Sequence, residues 1–168
     1  ATLFIDLLWP VLLLAGVESV IIATPASGVT PFVFEHYPIT HSLLAVVGWG
    51  FLVGAAYFAI RRRWRAAIVV GGLVVSHWML DLLVHRPDLA LVPGGSTRLG
   101  LGLWDSALWT VIVEGGLYAA AAFYYVRATR ATDRVGSWGF WSLIGVLGVI
   151  WIGNLFGPPP PSVDMIAY

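Results

Sequence analysis

Apolar residues run along this chain in five long stretches, near residues 3–23, 41–60, 66–85, 104–126 and 138–156, each broken by few ionisable positions. A helix that crosses the hydrocarbon core of a bilayer needs roughly 20 predominantly apolar residues. All five stretches meet that length. The pattern therefore predicts an all-α, polytopic membrane helix bundle with five transmembrane helices, one bundle domain over residues 1–157 and a proline-rich tail over residues 158–168. The first stretch has no basic segment ahead of it and contains Asp6 and Glu18, which argues for a first span rather than a cleaved secretory signal. Gly71-Gly72, Gly115-Gly116, Gly145 and Gly148 lie inside apolar runs and read as close helix contacts, not as a phosphate cradle.

Composition sharpens the class. Of 168 residues, 59% are hydrophobic and 11% charged, with a mean hydropathy of +0.86, which marks an integral membrane protein in contact with the lipid bilayer. Nine arginines balance nine acidic residues, so nothing in the charge points to nucleic acid. No cysteine is present, and any metal must be held by His, Asp and Glu. Arg61, Arg62, Arg63 and Arg65 fall between the second and third runs, and Arg127, Arg130 and Arg134 between the fourth and fifth. By the positive-inside rule these loops are cytoplasmic in a multi-pass inner (plasma) membrane protein, with the N-terminus cytoplasmic and the C-terminus on the opposite side. Arg86 and Arg98 run against that bias. Trp9, Trp64, Trp104 and Trp138 suit an interfacial aromatic belt.

This topology gathers the intramembrane polar residues toward the outer side. Glu18 ends the first run, His36 and His41 precede and open the second, His77, Asp81 and His85 occupy the outer half of the third, and Glu114 that of the fourth. Ionisable groups at such depth face a cavity, pair with one another or bind an ion. In SHWMLDLLVH, His77, Asp81 and His85 recur at i, i+4 and i+8 and share one helical stripe. That stripe fits a cation site, a His-Asp-His polar ladder without metal, or a proton relay. In HYPITHSLL, Pro38 suits the approach to a helix, Thr40 is placed to cap it, and His41 is aimed from the first turn toward the stripe. On the metal reading the ligands are His41, His77, Asp81 and His85, with His36 as a substitute for His41, and the ion is divalent, zinc before others. Glu114 and Glu18 are the candidate catalytic bases.

Thr40-His41-Ser42 opening a membrane helix, a short basic loop, and then Ser76-His77-x-x-x-Asp81 together resemble an inner-membrane family of metal-dependent hydrolases, over roughly residues 6 to 115. HRPDLALVPGG, after the third run, is similar to one branch of that family. The resemblance implies a bound metal and hydrolysis without fixing a substrate. Glu18 stands where the family usually has an aspartate in a Pro-Asp context, and the aspartate cluster common at the end of its first helix is represented here by Glu18 alone. A site at this depth suits an ester or phosphoester at headgroup level, with Arg86 or Arg98 to meet a phosphate. The alternative class is a non-catalytic accessory subunit of a larger membrane protein complex, docked through the GPPPPSVDMIAY tail, whose four prolines favour polyproline II. An ion or proton carrier is the third.

Overall fold

The computed structural model of the chain describes residues 1–22, 28–160, 162, 163 and 165. Of the proline-rich tail expected over 158–168, residues 161, 164 and 166–168 lie outside the described residues, as do 23–27. The chain is mostly helical, with five α-helices: α1 (Phe4–Leu14), α2 (Leu43–Arg61), α3 (Trp64–Val84), α4 (Ala107–Ala128) and α5 (Arg134–Phe156). Between them lie strands β1 (Ser19–Ile22), β2 (Phe32–His36), β3 (Leu89–Ala90) and β4 (Arg98–Leu99), and a 3₁₀ turn at Leu103–Asp105. Helices α2 to α5 are long and apolar enough to cross a membrane. Two compact units result, one of Ala1–Thr24, Pro31–Leu103 and Pro160–Tyr168, the other of Pro25–Thr30 and Trp104–Pro159.

The expected first span over 3–23 is corrected by the structure. Helix α1 ends at Leu14, and Gly16 takes a left-handed backbone (φ +68°). Gly16 N–H donates to Leu13 O at 3.0 Å and Val17 N–H to Leu12 O at 2.9 Å, the paired bonds of a Schellman stop. The residues that follow, Val20, Ile21 and Ile22, are β-branched and form β1, which pairs antiparallel with β2 through Val20↔Phe34 and Ile22↔Phe32. At roughly 1.5 Å per residue, the 11 residues of α1 reach only about half the hydrocarbon thickness.

Helices α2 and α3 form the tightest pair in the first unit. A Cβ on Gly71 would lie 2.6 Å from Gly50 O, and one on Gly54 would lie 2.9 Å from Ala67 O, so only glycine permits this backbone approach. Arg62, in the left-handed region (φ 54°), turns the chain between them, its N–H donating to Phe58 O. Beyond α3, residues 86–103 fold back on its end: Leu101 N–H reaches Leu82 O, Gly102 N–H reaches His85 O, and Gly100 passes so close to Arg86 that a Cβ would sit 2.0 Å from its carbonyl oxygen. The core of this unit is Ile5, Tyr37, Val46, Val74, Trp78 and Leu89.

In the second unit, Tyr118 of α4 hydrogen-bonds the Ile144 carbonyl of α5, and Gly115 faces the Trp151 ring. Thr110 is the one buried residue of α4, and α5 buries none, which leaves apolar side chains such as Ile112, Leu143 and Val149 exposed. A water-soluble helix would hide that surface; a lipid-facing one has no need to.

Candidate metal centre

The first unit brings four ionisable side chains to one point. Asp6 comes from the first turns of α1, His41 from the segment just before α2, and His77 and Asp81 from successive turns of α3. His77 Nε2 lies 3.1 Å from Asp6 Oδ1 and 3.3 Å from Asp81 Oδ1. His41 Nε2 lies 3.7 Å from Asp6 Oδ1 and 3.9 Å from Asp81 Oδ2. The ligand atoms of Asp6, His41 and His77 all fall within 4.8 Å of one another. Side-chain exposure is 5% for His41, 11% for His77 and 10% for Asp81, against 45% for Asp6, so the group opens on the Asp6 side.

Backbone and hydroxyl contacts orient His41. Trp78, one residue after His77, donates its indole N–H to the His41 carbonyl at 2.9 Å. Thr40 Oγ1 donates its only hydroxyl proton to Glu18 Oε2 at 2.7 Å and is 2.7 Å from His41 Nδ1. With that proton committed to Glu18, the hydroxyl can only accept from the ring, so Nδ1 carries the imidazole proton. A neutral His41 then presents a bare Nε2 lone pair to Asp6, His77 and Asp81. Glu18 Oε1 accepts the N–H groups of Ile39 and Thr40 at 2.8 and 2.9 Å. The β1–β2 hairpin delivers this arrangement by returning the chain from Glu18 to residues 39–40.

His77 Nε2 is the nitrogen nearest the Oδ1 atoms of both Asp6 and Asp81. Both carboxylates offer acceptors only, and His41 Nε2 offers a lone pair. Asp81 Oδ2 is buried with no hydrogen-bond partner among the described residues. An orphaned buried carboxylate oxygen beside two imidazoles is what a cation, through a water it holds, would satisfy. Tetrahedral bonds of roughly 2.0–2.1 Å put neighbouring ligand atoms about 3.3–3.5 Å apart, and Asp6 Oδ1 lies 3.1 Å from His77 Nε2 and 3.7 Å from His41 Nε2.

The other expected site residues make contacts of their own. His85 is the C-cap of α3 and in extended conformation, not on the helix stripe; its Nδ1 is 3.0 Å from Asp88 Oδ1, which also accepts the Tyr37 hydroxyl at 2.7 Å. Its ring stays near His41, with centroids 6.2 Å apart. Burial, and then the charge and hydrogen bond of Asp88, raise the Tyr37 phenol above its ordinary pKa. His36 is exposed at the end of β2. Thr40, expected to cap α2, does not, its hydroxyl being given to Glu18; Ser42 is the N-cap residue but makes no side-chain capping bond and donates to Pro38 O at 2.6 Å. Glu114 belongs to the second unit, where its two carboxylate oxygens accept the indole N–H groups of Trp104 and Trp151 at 2.8 and 2.6 Å. Asp6, not among the expected ligands, carries a signal in the sequence all the same: it is an ionisable residue inside an apolar run. Trp9, one turn beyond it, has a buried indole N–H with no partner among the described residues.

No curated protein and no solved structure matches the chain. A multi-pass inner-membrane location follows from the four spanning helices together with the match of residues 5–155 to the YdjM inner membrane protein family, to which the chain belongs.

Proposed function

We propose that this protein is a divalent-metal-dependent hydrolase of the membrane, holding zinc or a similar ion on Asp6, His41 and His77 and acting on an ester or phosphoester at headgroup level. The observation that carries the reading is the convergence of those three side chains beside the unpartnered Asp81 oxygen. Two imidazoles and one carboxylate leave a coordination position for water, the pattern of catalytic rather than structural zinc. Bound there, the ion would supply Lewis acidity and a more acidic water.

The chain's own groups do the rest. Glu18 and Thr40 hold His41 in the tautomer that directs Nε2 inward, as outer carboxylates do for metal-bound histidines. Glu18 thus acts as a positioning residue. Asp81 takes a proton from the attacking water at Oδ2, the oxygen the fold leaves without a donor. Trp9, whose ring meets that of His41 edge-on with centroids 6.5 Å apart, carries an N–H without a partner among the described residues. Substrate enters past the half-exposed Asp6.

Two substitutions test the assignment in purified protein, with metal content measured beside hydrolysis of a p-nitrophenyl ester and of bis-p-nitrophenyl phosphate. Asp6→Asn should lose the metal and all turnover. Asp81→Asn should retain the metal and lose turnover by about 100-fold or more, the scale of a missing proton acceptor. Wild-type protein that binds no divalent ion with the His41 and His77 side chains intact would end the proposal.

A further inference from the structure

At the other end of the α2–α3 pair lies an apolar groove of about 530 Å³, independent of the metal centre. It follows from the glycine contact: with Gly50, Gly54 and Gly71 drawing the two backbones together, the flanking side chains Phe51, Phe58, Trp64 and Ile68 form raised walls around a furrow. The lining runs from Val47 to Phe58 on α2 and from Trp64 to Val75 on α3. Each run is about 16 Å at the helical rise, close to half of the roughly 30 Å hydrocarbon core. The groove is therefore one leaflet deep. A neighbouring transmembrane helix would need a furrow continuing across both leaflets, whereas an acyl chain ends where this one ends.

The mouth is cationic. Arg61, Arg62, Arg63 and Arg65 lie at the turn between α2 and α3 where the groove ends, all exposed, and none pairs with a carboxylate among the described residues. Two of them are tied to the groove's own walls: the Arg62 guanidinium lies 5.9 Å from the Phe58 ring centroid and that of Arg65 lies 5.3 Å from Trp64. An apolar slot one leaflet deep, capped by unpaired guanidinium groups, is complementary to a single molecule of anionic phospholipid.

We infer that this groove is a binding site for an anionic phospholipid of the arginine-side leaflet, with one acyl chain between α2 and α3 and the phosphate among Arg61, Arg62, Arg63 and Arg65. The site stands apart from the hydrolase reading and needs no catalysis. Gly72 supplies the blocking variant. It lines the groove, and a Cβ built on it meets nothing within 4 Å, so Gly72→Leu starts a side chain in open space and puts bulk into the slot while improving helix propensity.

The full chain is reconstituted in phosphatidylcholine vesicles carrying a small fraction of dibrominated phosphatidylglycerol or dibrominated phosphatidylcholine. Quenching of Trp64 is read as the difference between wild type and Trp64→Phe. Phosphatidylglycerol should quench Trp64 with an apparent affinity on the order of tenfold above phosphatidylcholine. Gly72→Leu should abolish the preference and lower quenching by both lipids; Arg61→Gln/Arg62→Gln/Arg63→Gln, confined to the exposed turn, should abolish the preference alone. Equal quenching of wild type by the two lipids overturns the inference. So does a preference untouched by Gly72→Leu, or a change of oligomeric state in that variant at unchanged quenching, which would make the occupant a second copy of the chain.

Discussion

Thr40→Val isolates the hydroxyl that links Glu18 to His41. Valine matches threonine in shape, and Thr40 is fully buried, so the change opens no cavity and removes two hydrogen bonds, each 2.7 Å long. Glu18 keeps the Ile39 and Thr40 amide donors on Oε1 but has Oε2 stranded; His41 keeps its proton on Nδ1 with no acceptor. A buried polar group left unsatisfied costs about 1–3 kcal/mol, which for two groups would sum to roughly 2–6 kcal/mol. His41 has an escape. It can move its proton to Nε2 and donate to Asp6 or Asp81, which relieves one of the two groups and consumes the lone pair a metal needs. The expected stability loss is then only about 1–3 kcal/mol, accompanied by a fall in metal affinity of about 10–100-fold. Titration against a metal buffer and thermal unfolding, both in one detergent, separate the two effects. Thr40→Ser keeps the hydroxyl and should restore the affinity. Ser42→Ala, whose hydroxyl donates to Pro38 O, should cost about 1 kcal/mol without altering affinity. Thr40→Val protein that melts lower yet binds metal as tightly as wild type would refute the tautomer argument.

Gly16→Ala meets no neighbour but must hold φ +68°, so it should destabilise by about 1–2 kcal/mol in a melt, with Gly16→Asn milder. Glu114→Gln should leave metal content unchanged and lower the melting temperature, since two indole donors lose a charged acceptor. The Tyr37 phenol stays protonated in the fold while the unfolded chain ionises it near pH 10; its stabilising contribution is thus complete below that value and fades as pH rises through it. Between pH 9 and 11 the wild-type melting temperature should fall more steeply than that of Tyr37→Phe, and parallel slopes would count against the burial argument. Four crossings, rather than five, return the chain to its starting side, so reporters attached at Ala1 and Tyr168 should respond in the same compartment; opposite responses would mean that residues 1–42 cross after all.

Helices α2 to α5 were legible in the sequence because each is a long apolar run punctuated by arginines or by a glycine- and proline-containing loop, and the expected boundaries differ from the observed ones by a few residues. The first run failed because a length test counts apolar residues and ignores backbone direction. Gly16 and the β-branched Val20-Ile21-Ile22 carried the stop and the strand. His41 and His77 were readable from their motifs, and the structure brings both together. His85 was expected on the helix stripe, yet Pro87 disfavours helix at the residue before it, and α3 ends at Val84. Asp6 was hidden by the same error that lengthened α1: on a continuous outward-running span it would lie at the opposite end from Glu18, far from every histidine.

The short α1 is therefore what makes one imidazole serve two carboxylates. On an unbroken helix, Asp6 and Glu18 would be about 18 Å apart along the axis, too far for both to act on His41. The left-handed Gly16 ends the helix and β1 carries Glu18 back against Thr40, while Asp6 remains on the face toward α3. Glu18 then reaches the Nδ1 side of His41 through the Thr40 hydroxyl, and Asp6 reaches the Nε2 side directly. The two acids are not interchangeable in such a geometry. Glu18 is closed in by three donors and can set the ring's tautomer but cannot reach an ion. Asp6, half exposed and 3.1 Å from His77, can hold an ion but has no contact with Nδ1. A sequence that keeps both acids but loses the stop between them would keep the composition of the site without its chemistry.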